Sequence, residues 1–475
     1  MGQSVPINMS ILTDAYKETH YRLLDPDIEY VYSYLESRGV NDKGVAPETL
    51  FFGLQMLMKT YMEGEVINQN MIEEGREFCK NLFGDDYFNY DGFTKLIAKH
   101  GGKLPVRIKA LPEGIVVPSH NILVSIENTD PEFPWLVNFL ETILLNGTWY
   151  PITVATTSYA IKKLILKYAE ITGGSDFVYF HLNDFGYRGC SSIETAGIGG
   201  AAHLVNFYGT DTLRGIQYAN FYYKAKETCK TVGMSVPASE HSATIGWGKN
   251  REKEAYEHFM KAYPNGILSI VSDSYDLYNA VDKIFGQELK NMIFERNGQL
   301  VVRPDSGYPP QVALQTIKLL DKYFGSETNT MGFKTLNNKV RVIYGDFIRY
   351  GMIDDILSNL MEAGYSTDNI VFGMGGALLQ QVHRDTYKFA FKTSAVKRKE
   401  STTWTDAKKE PSTDAGKNSK AGRMILTQDE NGEFHTELET PFNKDKDILV
   451  TVFENGKIVK EWNFAEIRHL SEALL

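Results

Sequence analysis

Charged side chains and glycines recur directly after short apolar segments in the middle of the chain. These clusters are Asp184-Phe185-Gly186-Tyr187-Arg188, Glu240-His241, Ser272-Asp273, Arg303-Pro304-Asp305, Gly345-Asp346 and Gly375-Gly376. If the apolar segments are parallel strands of an α/β barrel, their carboxyl ends meet at one face, where the active sites of such barrels lie. The clusters therefore predict a single site at that face, with His241 at its chemical centre.

The basic residues near this face favour a phosphorylated sugar as the ligand. The chain carries a net charge of -10, so an anionic ligand needs a local positive potential. Arg188, Arg303 and Arg384 would supply it, because a guanidinium pairs with a phosphate through two hydrogen bonds. Gly375-Gly376 opens a predicted helix, and backbone N–H groups at such a position bind phosphate.

The acidic residues of the same face suit sugar hydroxyls or a metal ion. Asp273, Asp305 and Asp346 could orient ribose hydroxyls or hold Mg²⁺, which prefers carboxylates together with substrate phosphates. Taken singly, each cluster also fits an ordinary role, as a helix N-cap, a tight turn, an ion pair or a loop histidine. The possible N-caps are Asp184, Ser272 and Asp273, the possible turn is Gly375-Gly376, the possible ion pair is Arg303 with Asp305, and the histidine is His241. Their convergence on one face favours a site.

The segments that carry these clusters alternate between strand and helix patterns, which predicts parallel strands joined by crossover helices. The predicted strands are 177–182, 233–236, 266–271, 299–302, 339–344 and 369–372. The predicted helices are 193–207, 250–263, 275–285, 311–324 and 349–363. We therefore expect an α/β fold in which residues 173–384 form a (β/α) barrel-like domain with parallel strands.

The two ends of the chain lack this alternation and predict a second, discontinuous α+β domain made of residues 1–172 and 385–475. Its predicted strands are 28–36, 423–427 and 448–453, and residues 104–117 and 122–127 predict a β-meander with turns at 112–114 and 119–121. Its predicted helices are 133–145, 154–172 and 464–475. Residues 397–422 are rich in Lys, Ser, Thr and Asp and predict a long loop.

Composition limits the partners and the compartment. No basic arm or stripe supplies the positive field that a nucleic-acid partner requires. Cys79, Cys190 and Cys229 lie far apart without metal-ligand spacing, which is typical of a reducing compartment. We find neither a secretory signal pattern nor an apolar segment near the ~20 residues of a membrane-spanning helix. We therefore expect a cytoplasmic protein with no nucleic-acid and no membrane partner.

Several motifs resemble the nicotinamide phosphoribosyltransferase family, within the broader pyridine-base phosphoribosyltransferases. They keep their order and spacing along nearly the whole chain and are Thr13-Asp14-Ala15-Tyr16, Asp184-Phe185-Gly186-Tyr187-Arg188-Gly189, Gly209-Thr210-Asp211-Thr212, Ser235-Val236-Pro237-Ala238-Ser239-Glu240-His241, Val271-Ser272-Asp273, Arg303-Pro304-Asp305-Ser306-Gly307 and Gly345-Asp346.

The resemblance implies transfer of phosphoribose from 5-phosphoribosyl 1-pyrophosphate to nicotinamide, giving nicotinamide mononucleotide and pyrophosphate for NAD salvage. It implies a homodimer with shared active sites, assistance by Mg²⁺, and coupling to ATP hydrolysis through a phosphohistidine at His241. Phe185 and the partner subunit's Tyr16 would stack on the pyridine ring, and Asp211 would accept a hydrogen bond from the carboxamide.

The same resemblance implies roles for the remaining site residues. Arg303, Asp305 and Asp273 would form the catalytic set with His241, and Mg²⁺ would be held mainly by substrate phosphates, with Asp273 or Asp305 as its protein ligand. The further substrate-binding residues would be Asp14, Arg188, Ser235, Ser269, Gly345, Asp346, Gly375, Gly376 and Arg384. The pyrophosphate and ATP phosphates would meet the partner subunit's Arg38, Lys392, Lys409 and Lys417.

Two alternatives remain at this point. The first is nicotinate as the base, which Asp211 opposes because two like charges would face each other. The second is a non-catalytic homodimer that binds a ligand or acts in signalling.

Overall fold

Short parallel strands run through the middle of the chain. A computed structural model describes residues 5–174, 176–413, 418–473 and 475. Within them, a parallel sheet has neighbouring strands in the order Leu182–Asp184, Ile370–Met374, Val340–Tyr344, Asn297–Arg303 and Asn265–Val271. This sheet belongs to a compact unit formed by Thr157–Val382 together with Leu475.

Isolated parallel bridges close this sheet into a ring. They join Asp184 to Thr210, Gly209 to Met234, and Ala238 to Ser269, which lies in the opposite edge strand. The chain therefore passes from one edge strand to the other through two short segments that pair without forming regular strands. This arrangement confirms the predicted α/β fold with a parallel, barrel-like sheet.

Crossover helices connect the parallel strands, as expected for strands that run in one direction. They are Ile193–His203, Leu213–Tyr223, Ala225–Thr228, His241–Ile245, Glu252–Ala262, Leu277–Asn279, Lys290–Glu295, Pro309–Phe324 and Tyr350–Glu362, and the short helix Gly376–Leu379 follows the last parallel strand. A small antiparallel hairpin, Ser326–Thr328 with Lys334–Leu336, also lies in this unit. Alternate strand residues such as Leu268, Ile270, Leu300 and Val302 are almost completely buried.

Three predictions for this unit are wrong in detail. Residues 177–182 are not a strand: Asp176–Phe180 is a 3-10 helix, and the strand is Leu182–Asp184. The predicted strand 233–236 contributes one bridge at Met234. The predicted helix 275–285 is a short α-helical turn that continues as the π-helix Ala280–Glu288.

The other compact unit combines both ends of the chain, Met1–Thr156 and His383–Leu474. Its antiparallel sheet has the strand order Thr405–Asp406, Phe389–Arg398, Ile28–Ser37, Ile122–Asn128, Val106–Ala110, Val450–Glu454 and Lys457–Ile458. Two further antiparallel pairs are Met424–Gln428 with Phe434–Leu438 and Glu48–Leu50 with Val116–Pro118. The helices are Leu54–Tyr61, Gln69–Phe83, Tyr90–His100 and Phe464–Glu472, with 3-10 turns at Met9–Ile11, Ala15–Arg22, Arg384–Thr386 and Lys444–Lys446.

A single long helix, Trp135–Thr172, replaces the two predicted helices 133–145 and 154–172. Pro151 lies inside it and does not end it. The side chains of Thr148 and Thr153 donate to carbonyls four residues earlier, at 2.6 Å each. Gly53 leaves room for the proline ring, since a Cβ there would lie 2.4 Å from Pro151 Cγ.

The predicted loop 397–422 is partly strand, because Thr405–Asp406 pairs with Phe389–Arg398. Lys417 lies outside the described residues. Among the helices that the structure describes, we find none whose length and apolar character would let it cross a membrane.

Candidate active site

Two cavities of the parallel-sheet unit share part of their walls. The first, of about 640 Å³, reaches into the ring of strands, and we call it the inner cavity. The second, of about 730 Å³, is lined by residues that follow the carboxyl ends of the strands, and we call it the outer cavity. Phe185, Asp211 and Arg303 line both. A ligand that fills both cavities would therefore contact an aromatic ring, a carboxylate and a guanidinium where they join.

Apolar atoms form most of the surface of the inner cavity, although half of the residues that line it are polar or charged. Met234, Val236, Ile267, Ile343 and Val371 supply apolar surface, and the polar residues Asp211, Ser235 and Ser269 also face it. Ser235 Oγ donates a hydrogen bond to Asp211 Oδ1. A flat, largely apolar ligand with one hydrogen-bond donor suits such a cavity.

The Phe185 ring is held closely by its neighbours. Its backbone N–H donates to the carbonyl of Met374 at 3.0 Å. The Arg303 guanidinium lies 5.2 Å from the ring centroid, which is cation–π distance. A Cβ added to Gly373 would lie 2.1 Å from Phe185 Cε2, so only glycine leaves the ring its observed place.

We expect Gly373→Ala to raise the KM for the ligand that occupies the inner cavity, because the added methyl group forces the Phe185 ring to move. Overpacking of this kind costs about 1–3 kcal/mol, which corresponds to roughly a 5- to 150-fold rise in KM. The matched control is Gly351→Ala, since a Cβ at Gly351 meets no atom within 4 Å. Steady-state kinetics of both variants check this, and an unchanged KM in Gly373→Ala would contradict the steric argument.

The outer cavity combines charged groups with glycine backbone. Its walls include Arg188, Asp305, Gly345, Asp346 and Gly375. Burial raises the pKa of Asp346, and the charges of Asp305 and Asp273 raise it further. Negative charge is therefore crowded at this end, which favours a cation or a ligand rich in hydroxyl donors. Gly376 lies beside Gly189, the residue that follows Arg188, since a Cβ on Gly189 would be 3.8 Å from Gly376 Cα.

Arg303 carries a donor that no described residue satisfies. Its Nη2 donates to Asp305 Oδ1 at 3.1 Å, whereas its buried Nε finds no acceptor within the described part of the chain. A buried donor without a partner costs free energy, and a bound ligand would recover it. The interpretation of this pair as only a structural ion pair leaves that donor unexplained.

His241 belongs to a network centred on Asp273. His241 Nε2 lies 3.0 Å from Asp273 Oδ1, and the histidine is half-exposed while the aspartate is buried. Asp273 Oδ2 accepts from the Asp305 backbone N–H at 3.0 Å and from Ser306 Oγ at 2.5 Å. Asp273 is thus not a helix N-cap.

The helix that follows Asp273 is capped by Asp276, which accepts from the Asn279 N–H at 3.0 Å. Ser272 does not cap it either, because its hydroxyl donates to the Ile270 carbonyl. The alternative that these two polar residues only begin a helix is therefore wrong.

Four of the predicted phosphate-binding cations, Arg38, Arg384, Lys392 and Lys409, lie in the discontinuous unit, and three of them act on the pKa of Lys392. Burial lowers the pKa of Lys392, the charge of Glu141 raises it, and the charges of Arg38, Lys409 and Arg384 lower it further. Arg38 Nε donates to the buried Glu36 at 2.7 Å, and Lys420 pairs with the other carboxylate oxygen of Glu36. These residues form a concentrated positive region, as an anion site requires.

Two further predicted residues lie near the beginning of that unit. Asp14 Oδ2 accepts from Thr142 Oγ1 at 2.6 Å. Tyr16 leaves 59% of its surface exposed and packs edge-on against His20. A large exposed aromatic side chain of this kind is available for a ligand.

Sequence reasoning gave no role to one residue of this network. Ser306 donates to Asp273, although its place directly after Asp305 in the matched motif was a usable signal. Asp184, which the sequence placed in the first of the strand-end clusters, is completely buried and lines neither cavity.

Comparison with known proteins adds to this geometry. The nicotinate phosphoribosyltransferase family model matches residues 180–456, and a model for the amino-terminal domain of nicotinamide phosphoribosyltransferase matches residues 8–108. A nicotinamide phosphoribosyltransferase from Xanthomonas campestris pv. campestris (strain 8004) is 42% identical over 98% of both chains. One from Acinetobacter baylyi (strain ATCC 33305 / BD413 / ADP1) is 33% identical over 98% of this chain and 97% of its own.

Solved structures show the same fold at low identity. Nicotinate-nucleotide pyrophosphorylase from Pyrococcus furiosus superposes with a TM-score of 0.62 at 16% identity, covering 100% of this chain and 98% of its own. Human nicotinic acid phosphoribosyltransferase gives 0.54 at 16% identity, covering 98% and 93%.

The fold, the joined cavities and these relatives define a phosphoribosyltransferase, an enzyme that transfers a pentose phosphate. The chain belongs to the nicotinate phosphoribosyltransferase family.

Proposed function

We propose that this enzyme transfers phosphoribose from 5-phosphoribosyl 1-pyrophosphate to nicotinamide, giving nicotinamide mononucleotide and pyrophosphate in NAD salvage. The observation that carries the proposal is Asp211, whose carboxylate faces the inner cavity beside the Phe185 ring. A carboxylate accepts the N–H of a carboxamide and repels the carboxylate of nicotinate. The relatives named above as nicotinamide phosphoribosyltransferases support the same base.

In the proposed reaction, the C1–O bond to pyrophosphate breaks and a bond from C1 to the pyridine nitrogen forms. The leaving oxygen keeps the electron pair of the broken bond, and the base supplies its nitrogen lone pair, so no proton needs to be removed. Positive charge develops on the ribose ring, and Asp305 and Asp346 face the outer cavity where the ribose would lie. Electrostatic stabilisation of this kind is commonly the largest part of catalysis.

The residues present fit Mg²⁺. Asp273 and Asp305 are joined through the Asp305 backbone N–H, and their charges raise the pKa of Asp346. Such crowded carboxylates are the oxygen ligands that Mg²⁺ takes together with substrate phosphates. Bound there, Mg²⁺ would neutralise the developing charge of pyrophosphate.

We propose that ATP drives the reaction through phosphorylation of His241. When Asp273 accepts from Nε2–H, the lone pair of the ring is on Nδ1. Nδ1 would attack the γ-phosphorus, the bond to the bridging oxygen would break, and ADP would leave. Water would later hydrolyse the N–P bond and return the free histidine and phosphate.

We also propose a cytoplasmic homodimer with shared active sites. The partner subunit's Tyr16 would stack on the base, which its exposure supports. The partner subunit's Arg38, Lys392, Lys409 and Lys417 would bind pyrophosphate or ATP phosphates. Arg38 and Lys409 both lower the pKa of Lys392, and this proximity of positive charges supports a phosphate site. Membership of an enzyme family argues against the non-catalytic dimer.

The base is decided by comparing nicotinamide with nicotinate in steady-state kinetics of the wild-type enzyme and of Asp211→Asn. We expect the wild type to prefer nicotinamide, because like charge rejects nicotinate. Asp211→Asn should lower kcat/KM for nicotinamide by about 10- to 100-fold, since a hydrogen bond to a charged group contributes about 1.5–3 kcal/mol. Better turnover of nicotinate by the wild type would overturn the proposed substrate.

A further inference from the structure

We infer that Asp184 is a positioning residue that fixes Phe185 and Asp211 relative to each other and whose charge strengthens selection of a neutral base carrying an amide. The inference rests on the proposed function and deepens it. The residue is completely buried and belongs to neither cavity wall. It therefore acts through its neighbours and not by touching the base.

The backbone of Asp184 connects the two segments that carry the base-binding groups. Its N–H donates to the carbonyl of Gly209 at 3.1 Å, and its carbonyl accepts from the N–H of Asp211 at 2.9 Å. Asp211 is therefore held directly against the residue that precedes Phe185. Any displacement of Asp184 would move the ring and the carboxylate together.

The side chain of Asp184 holds the turn after the ring. Its Oδ1 accepts from the backbone N–H of Gly186 at 2.7 Å. Phe185 therefore lies between Asp184 and Gly186, which this hydrogen bond joins. Its ring also packs against Gly373, which leaves it little freedom.

The hydrogen bond from the Gly186 N–H does not require a carboxylate at position 184. An asparagine oxygen would accept the same N–H without the cost of burying a charge. Burial raises the pKa of Asp184 to about 6 although the hydrogen bond from the Gly186 N–H opposes it, and the second carboxylate oxygen, Oδ2, is buried without a hydrogen-bond partner among the described residues. Asp211, in the adjoining segment, is the charged group that acts on it. A negative charge here adds to the field of Asp211 towards the base.

Asp184→Asn tests this, because the amide oxygen can still accept from Gly186 while the charge is lost. We expect the preference for nicotinamide over nicotinate to fall about tenfold, because the nicotinate carboxylate is then repelled by one charge fewer, whereas the KM for the uncharged nicotinamide should rise by a smaller factor of about two to three. The KM for 5-phosphoribosyl 1-pyrophosphate should stay within about twofold. The matched control is Asp321→Asn, which removes a carboxylate held by Lys334 and Tyr365 away from both cavities.

A second measurement follows the pH dependence of binding in the wild-type enzyme and in the variant. Nicotinamide binding to the wild-type enzyme, followed by calorimetry between pH 5 and pH 8, should strengthen as pH rises through about 6, where Asp184 ionises. In Asp184→Asn this step should disappear. Unchanged selectivity in the variant, or wild-type binding that is flat across this range, would overturn the inference. Wild-type enzyme that fails to use nicotinamide would instead overturn the proposed function.

Discussion

Replacing His241 with alanine is expected to reduce ATP-dependent turnover to the level measured without ATP, while transfer of phosphoribose itself continues. The reason is that the ring nitrogen of His241 is the proposed phosphate acceptor. Asp273 orients the ring at 3.0 Å, and the imidazole is about half-exposed, so a nucleotide can reach it. The measurement is acid-labile incorporation of label from γ-labelled ATP, alongside the rate of nicotinamide mononucleotide formation with and without ATP.

His435 provides a matched control for this variant. It too is a half-exposed histidine paired with an aspartate, since its Nε2 lies 3.3 Å from Asp429 Oδ2. His435→Ala should keep both the label and the ATP stimulation, because that pair lies on the hairpin of Met424–Gln428 with Phe434–Leu438 and lines neither cavity. Persistent labelling of His241→Ala, or equal losses in both variants, would show that the phosphate acceptor is another group.

Asp273→Asn should also lower the labelling of His241, measured with the same γ-labelled ATP. The amide oxygen can accept from the Asp305 N–H only if its NH2 group faces His241, and an NH2 group cannot accept from the Nε2–H, so the tautomer with its lone pair on Nδ1 is no longer held.

The sequence predicts the parallel sheet well where apolar segments are continuous and flanked by glycine. Asn265–Val271 and Asn297–Arg303 lie within two residues of the predicted strands. The prediction fails at 177–182, because an aromatic-rich segment has strand propensity whatever its tertiary contacts are. In the structure, Phe177 and Phe180 pack against each other in a 3-10 helix, and Tyr179 stacks on Tyr208.

The long helix shows a similar limit. A proline usually ends a helix, since it lacks an N–H and its ring meets the carbonyl four residues earlier. Pro151 does not end this one. The space left by Gly53 and the threonine hydroxyls that bond to nearby carbonyls are tertiary and side-chain features. Neither can be deduced from periodicity.

For the site, the motifs predicted the residue types, while their arrangement required the fold. The sequence places Arg303 and Asp305 two residues apart, which indicates an ion pair. It does not show that Arg303 also lies over Phe185, more than a hundred residues earlier in the chain, or that its Nε is left without an acceptor within the described residues. Buried, unsatisfied donors of this kind are visible only in three dimensions.

Arg303→Lys is expected to be the most damaging conservative change in the parallel-sheet unit. Lysine keeps the charge, but it has no planar fork to bond Asp305 while presenting a second donor, and it stacks less well on an aromatic ring. The loss of a charged hydrogen bond and of part of the cation–π contact together corresponds to about 3–4 kcal/mol, or roughly a 100- to 1,000-fold fall in kcat/KM. Steady-state kinetics with both substrates varied would measure it.

Arg296→Lys separates this effect from general destabilisation. Arg296 is a buried arginine whose guanidinium donates to the carbonyls of Tyr263, Gln299 and Asn265, so all of its hydrogen bonds are to the protein itself. Its replacement should lower the melting temperature with little effect on kcat/KM. Arg303→Lys should instead raise the melting temperature and lower kcat/KM strongly. The Nε of Arg303 finds no acceptor within the described residues, so the unliganded wild-type protein is less stable than it would be with a fully hydrogen-bonded arginine. If both variants lost stability and activity in the same proportion, Arg303 would be a structural residue, and the join between the two cavities would need another group to bind the substrate.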